Sequence, residues 1–246
     1  MKNLSIITNF GCHFKCPECI TKNNGIAVPK TTVKGLEKLD KSFWESGAYI
    51  LSVSGGGDPL YNYEANIEWY RTLFKWARSY KPKIGCSINV NLRKTALETL
   101  GNQKLTNWYS AYGIPIEIHT SYTTDKTTFP FYDCYRAVYH LHSIKELDSI
   151  HRTGEEITRA VFVVTSDFTV NDLMDISAYV QNSQEIDELS FREYVDENYT
   201  PRSYLSEYLK LGHQKLWYYI EQNDYNLYYA ENKVYECFRE FQKVQN

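Results

Sequence analysis

Short apolar, β-branched runs alternate along this chain with stretches whose apolar positions recur every three or four residues. "LSIITNF" (4–10) reads as a buried strand, and within 31–46 Val33, Leu36, Leu39, Phe43 and Trp44 fall at helical spacing. "YILSVS" (49–54) predicts a second strand ending in "GGGDP", and 63–80 an amphipathic helix stopped by Pro82. "IGCSINVNL" (84–92) alternates as a strand does, and 94–109 reads as a helix. A strand over 114–122 and a long helix over 135–150 follow. "ITRAVFVVTS" (157–166) predicts the fifth strand, 169–182 a helix capped by Thr169 or Asp167, and 186–195 the sixth strand. Six strand–helix units in sequence imply an α/β fold on a parallel sheet with right-handed crossovers.

After residue 195 the pattern changes. Residues 201–222 read as one helix with Pro201 in its first turn, and 226–238 as a hairpin turning at Glu231–Asn232. The division expected is a core over 1–195 and an extension over 196–246 bordering it, with no linker, low-complexity tract or internal repeat.

Composition changes this picture little. A chain of 246 residues, 43% hydrophobic, can bury a core of its own. Its 22 tyrosines follow no periodic code and suit half-buried amphipathic positions. A formal net charge of −3 lacks the basic footprint of nucleic-acid binders, so no nucleic acid is expected as partner. "MKNLSIITNF" does not read as a signal peptide, so none is expected, and no apolar run reaches the ~18 residues of a membrane helix. A cytoplasmic location is expected, where cysteine clusters hold metals more often than disulfides.

The chemistry concentrates in "GCHFKCPECI" (11–20), which holds Cys12, Cys16 and Cys19. A structural zinc site takes four ligands, and the one nearby fourth candidate, His13, adjoins Cys12, where neighbouring side chains diverge. A disulfide would leave an odd thiol. An iron–sulfur cluster ordinarily takes four thiolates. Three leave one iron open, which suits a site where a substrate or cofactor is to bind. Cys86, Cys134 and Cys237 stand alone in separate elements.

"CHFKCPEC" after the first strand resembles the cluster motif of the radical S-adenosylmethionine superfamily, and "SGGGDPL" (54–60) after the second resembles its "GGE-P" segment. The resemblance spans about residues 4–195 and implies a partial (β/α)6 TIM-like barrel with a C-terminal extension. It implies that Cys12, Cys16 and Cys19 ligate an oxygen-sensitive [4Fe–4S] cluster whose open iron binds the methionine end of S-adenosylmethionine. It further implies reductive cleavage to a 5′-deoxyadenosyl radical, a flavodoxin- or ferredoxin-type reductant, and hydrogen-atom abstraction from a substrate.

Gly55, Gly56 and Gly57 let backbone approach a ligand closely, and their carbonyls with Asp58 suit a ligand ammonium. Asp58 stands where the family usually has Glu, and Glu18 where it often has an aromatic residue near the adenine. At strand ends, Ser87, Asn89, His119 and Ser121 fit positions that touch the cofactor, and Arg192 is a cation for a ligand carboxylate. Cys237 or Tyr235 is a candidate hydrogen-atom donor, an ordinary buried thiol being the plainer reading of Cys237. A small nucleotide- or amino-acid-derived substrate is expected. The alternatives are a peptide or protein substrate, glycyl-radical activation included, and a noncatalytic iron–sulfur or zinc module.

Overall fold

The computed structural model of the protein describes residues 3–12, 19–23, 25–48, 50–53, 55–59, 61–79, 116–121, 135–151, 157–196, 200, 205, 218–220 and 226–245. Its strands are β1 (Asn3–Ile6), β2 (Ile50–Val53), β3 (Ile116–Ser121), β4 (Tyr135–Leu141), β5 (Ile157–Val164), β6 (Glu188–Glu193), β7 (Tyr218–Ile220), β8 (Asn226–Ala230) and β9 (Lys233–Tyr235). Its α-helices are α1 (Ile20–Asn23), α2 (Leu39–Ser46), α3 (Ile67–Arg78) and α4 (Val170–Asn182). The strands form one open sheet in the order β7-β6-β5-β4-β3-β2-β1-β8-β9. Every neighbouring pair is parallel except the β8–β9 hairpin.

Period-two alternation divides the sheet into an apolar and a polar face. On the apolar face, Leu4, Ile6, Leu51 and Val53 pack with Leu39 and Phe43 of α2 and Trp69, Leu73 and Phe74 of α3. Farther along, Phe162, Val164, Leu189 and Phe191 pack with Leu173, Ile176 and Val180 of α4. Thr169 caps α4: its hydroxyl accepts from the Asp172 amide while Asp172 accepts from the Thr169 amide, so two donors at the helix start are satisfied. Gly47 ends α2 in the left-handed conformation.

The opposite face carries polar side chains. Asn3 donates to Ser52 at 2.8 Å and to Asn226 at 2.9 Å, bridging three strands. Ser5, Ser52, Arg159, Glu188 and Ser190 are all buried. A sheet with one face sealed by helices and the other polar and concealed reserves the second face for something other than core.

The structure departs from the sequence reading at several elements. Residues 135–141 form a strand, not the start of a helix, and the run ends in a 3-10 turn at Ile144–Ser149. The reason is position: β4 lies between β3 and β5 and hydrogen-bonds to both. β2 is bordered by β1 and β3, so 116–121 takes the third place in the sheet and 135–141 the fourth. Segments 84–92 and 94–109 lie outside the described residues. The helix expected over 31–46 is a 3-10 turn at Lys34–Leu36 followed by α2. Within 201–222, Tyr218–Ile220 is a strand paired with β6, where a helix end was expected. A three-residue strand takes its conformation from the edge it joins.

The hairpin turning at Glu231–Asn232 is present, with both residues at positive φ as a two-residue turn requires. The residues after 195 thus supply strands at both ends of the sheet. No helix among the described residues is long and apolar enough to cross a membrane.

Candidate cofactor-binding site

The chain leaves β1 under tight control. The Ile7 amide still donates to Tyr229 of β8 at 2.9 Å, extending the strand pairing by one residue. Asn9 is held twice, its amide to Thr31 Oγ1 at 2.7 Å and its Nδ2 to the Val28 carbonyl at 2.8 Å. Phe10 packs edge-on against Trp69, ring centroids 5.3 Å apart, and tilted on Tyr70 at 5.9 Å. These contacts fix where the cysteine loop begins.

The turn after β2 lies directly on that segment. The Asp58 amide donates to the Gly11 carbonyl at 3.0 Å, and the Tyr61 amide to the Asp58 carbonyl at 3.0 Å. A Cβ on Gly57 would stand 2.3 Å from the Gly11 carbonyl oxygen and 3.6 Å from Cys12 Cβ. A Cβ on Gly56 would stand 2.0 Å from the Thr8 carbonyl oxygen, and Gly56 has φ +70°. Only glycine fits either position. Gly11, at φ +104°, lies under the ring of Tyr61.

Asp58 is buried, and its charge acts on Tyr70, whose hydroxyl donates to the Pro59 carbonyl. Burial first, and Asp58 second, push the Tyr70 phenol well above its ordinary value, so it stays a neutral donor.

Cys12 and Cys19 are free, half-buried thiols, and Cys19 Sγ lies 3.1 Å from Thr21 Oγ1 at the start of α1. Cys16, Glu18, Ser87 and Asn89 lie outside the described residues, as do Cys86 and Cys134. Among the described residues no group of three potential metal ligands stands together. The described thiols are of the donor type a cluster takes, and Cys12 stands beside the turn, its Cβ 3.6 Å from where a Cβ on Gly57 would lie. Thr8 beside that turn is fully buried, with Oγ1 lacking a hydrogen-bond partner among the described residues.

His119 and Ser121 fall on the third strand of the sheet, in register with Arg136 and Val138 of β4. Arg192 is half-buried on β6 and alternates with core Phe191, which puts it on the polar face. Cys237 is exposed, correcting the expectation of a buried thiol, because the chain turns outward there beside Glu240. Tyr235 is buried instead, its ring 4.4 Å from that of Phe241.

Two residues escaped sequence reasoning, His140 and Ser190. The alternation in "VYHLHS" signals His140 once 135–141 is taken as a strand, because Tyr139 and Leu141 belong to the core and His140 then faces the other way; Ser190 stands likewise between core Leu189 and Phe191. His140 is open to solvent, yet its imidazole is held down to about 4, first by desolvation and then by the positive fields of Arg192 and His142. No protein-family model matches the chain, and no curated protein or solved structure does.

Proposed function

We propose that this chain is a cytoplasmic radical S-adenosylmethionine enzyme acting on a small organic substrate. The observation that carries the proposal is the seating of the Gly55–Asp58 turn on Gly11 and Cys12, which joins the two motifs of the resemblance in one place. Cys12, Cys16 and Cys19 hold the cluster in this reading, and β1–β6, parallel and in sequence order, form the partial (β/α)6 barrel. When bound, the cluster supplies the low-potential electron, from a flavodoxin- or ferredoxin-type donor, that cleaves S-adenosylmethionine to a 5′-deoxyadenosyl radical.

The chain's own residues orient that cofactor. The Gly55–Gly57 backbone packs on Ile7, Thr8 and Gly11 as only glycine can, and its carbonyls together with Asp58 would receive the cofactor's ammonium. Asp58 has little freedom to swing, being buried and tied through its backbone to Gly11 and Tyr61. The helix-covered apolar face excludes water from behind the site, and the polar face receives the substrate.

Anaerobic reconstitution tests the proposal. About four irons per chain, and 5′-deoxyadenosine formed with dithionite, are expected, and Cys12→Ala, Cys16→Ala and Cys19→Ala each abolish both. A colourless, zinc-loaded protein, or iron without deoxyadenosine, would sink it.

A further inference from the structure

Beyond the cysteine loop, the polar face of β4, β5 and β6 holds a second group of side chains. The register aligns His140, Val161 and Ser190 in one row and Val163 with Arg192 in the next. Beneath them Arg159 and Glu188 form a buried pair, Nη2 to Oε2 2.5 Å and Nε to Oε2 2.7 Å. That pair closes the floor with its charges matched. Above it stand a serine, a histidine and an arginine.

Ser190 is fully buried, and among the described residues its Oγ has no hydrogen-bond partner. A buried hydroxyl without a partner is costly, so its persistence points to a partner that arrives from outside. Arg192 is half-exposed and close enough for its charge to weigh on His140. Val161, fully buried, lies between His140 and Ser190, so the row runs from an open end at His140 to a covered one at Ser190.

We infer that His140, Ser190 and Arg192 form a subsite for an oxyanion, a carboxylate or phosphate carried by the substrate. The inference rests on the proposed function for the word substrate, and on the geometry of β4–β6 for the rest. Arg192 supplies a planar fork of donors matched to such groups, Ser190 a hydroxyl donor, and His140 a ring N–H. Ser190 is covered while His140 and Arg192 are more open, so the ligand enters from their side.

The site lies apart from the cofactor's amino-acid end. β6 stands four strands from β2, about 19 Å measured along the sheet at ordinary strand spacing, while the Gly55–Asp58 turn follows β2. Arg192 therefore serves the substrate in this inference, in place of the cofactor carboxylate.

The test is an NMR titration of the full-length protein, following the His140 ring proton, assigned with His140→Gln. Inorganic phosphate and succinate are added in separate arms. A saturable shift with a raised His140 pKa is expected, because an anion beside the ring favours its charged form. A response to phosphate alone identifies a phosphorylated substrate; to succinate alone, a carboxylate.

Ser190→Ala is expected to weaken the response about tenfold while leaving the unfolding midpoint unchanged or raised. Arg192→Gln is expected to abolish the response. No saturable response to either anion at tens of millimolar overturns the inference, as does an equal response in both variants. The readout needs neither iron nor S-adenosylmethionine, so absence of deoxyadenosine would overturn the proposed function and leave this result standing.

Discussion

The amide of Asp58 donates to the carbonyl of Gly11, 3.0 Å away, and ties the turn after β2 to the loop that bears Cys12. The contact tolerates no side chain at Gly57, whose Cβ would lie 2.3 Å from that same carbonyl oxygen. Gly57→Ala is expected to cost about 2 kcal/mol of stability through overpacking and to lower the iron bound per chain. Urea denaturation and iron analysis measure the two effects, and an unchanged value of both would show that the loops do not meet this way.

Glu231 makes a second long-range tie. Its carboxylate accepts from the Thr32 amide at 2.6 Å and from the Thr32 hydroxyl at 2.7 Å. A Cβ on Gly35 would lie 2.1 Å from Glu231 Oε1, so Gly35→Ala acts by pushing that carboxylate away. Glu231→Ala and Gly35→Ala should each cost about 1–2 kcal/mol, and the double variant little more than either. Additive losses in a double-mutant cycle would refute the shared mechanism.

The buried pair beneath the polar face gives an asymmetric prediction. Arg159 and Glu188 are 3% and 2% exposed, so neither charge has water to fall back on. Glu188→Gln, which strands the guanidinium, should destabilise by about 3–5 kcal/mol, and the paired change Arg159→Met with Glu188→Leu by much less. Thermal unfolding of the three proteins decides it.

His140 predicts a pH dependence. Its folded-state value, about 4, lies below the ordinary 6.5, so the unfolded chain binds the proton first as pH falls. The His140 contribution is therefore flat above pH 7 and turns destabilising between about 6.5 and about 4. His140→Asn should remove that part of the acid sensitivity, measured as the difference between the two proteins' stability profiles. Arg192→Gln should raise the imidazole value by removing the second cause of its depression. Matching profiles for wild type and His140→Asn would contradict this account.

The sequence made the elements next to the candidate site legible because their signals are local. Cys12, the glycine run and the β-branched residues of β1 and β2 each declare themselves within a few positions. The cap at Thr169 and the turn at Glu231–Asn232 were legible for the same reason. β4 was not, since Tyr135, Val138, Tyr139 and His142 also fit helical spacing, and only its two neighbours in the sheet decide between the periods. His140 followed β4 into obscurity, and its place in one row with Val161 and Ser190 depends on register, which no local pattern encodes. Cys237 misled because a lone cysteine is more often buried than not, and the bend in which its amide donates to Glu240 leaves it exposed.

The neighbour of β1 on one side is β8, a strand roughly two hundred residues farther along the chain. At ordinary rates of synthesis, roughly 10–40 s separate the emergence of the cysteines from that of the strand that braces theirs. Through that interval the thiols are presented on an unfinished support, open to oxidation. Under the proposed function, assembly of the centre would be scheduled by the ribosome: its ligands are made early, and the wall beside them arrives late.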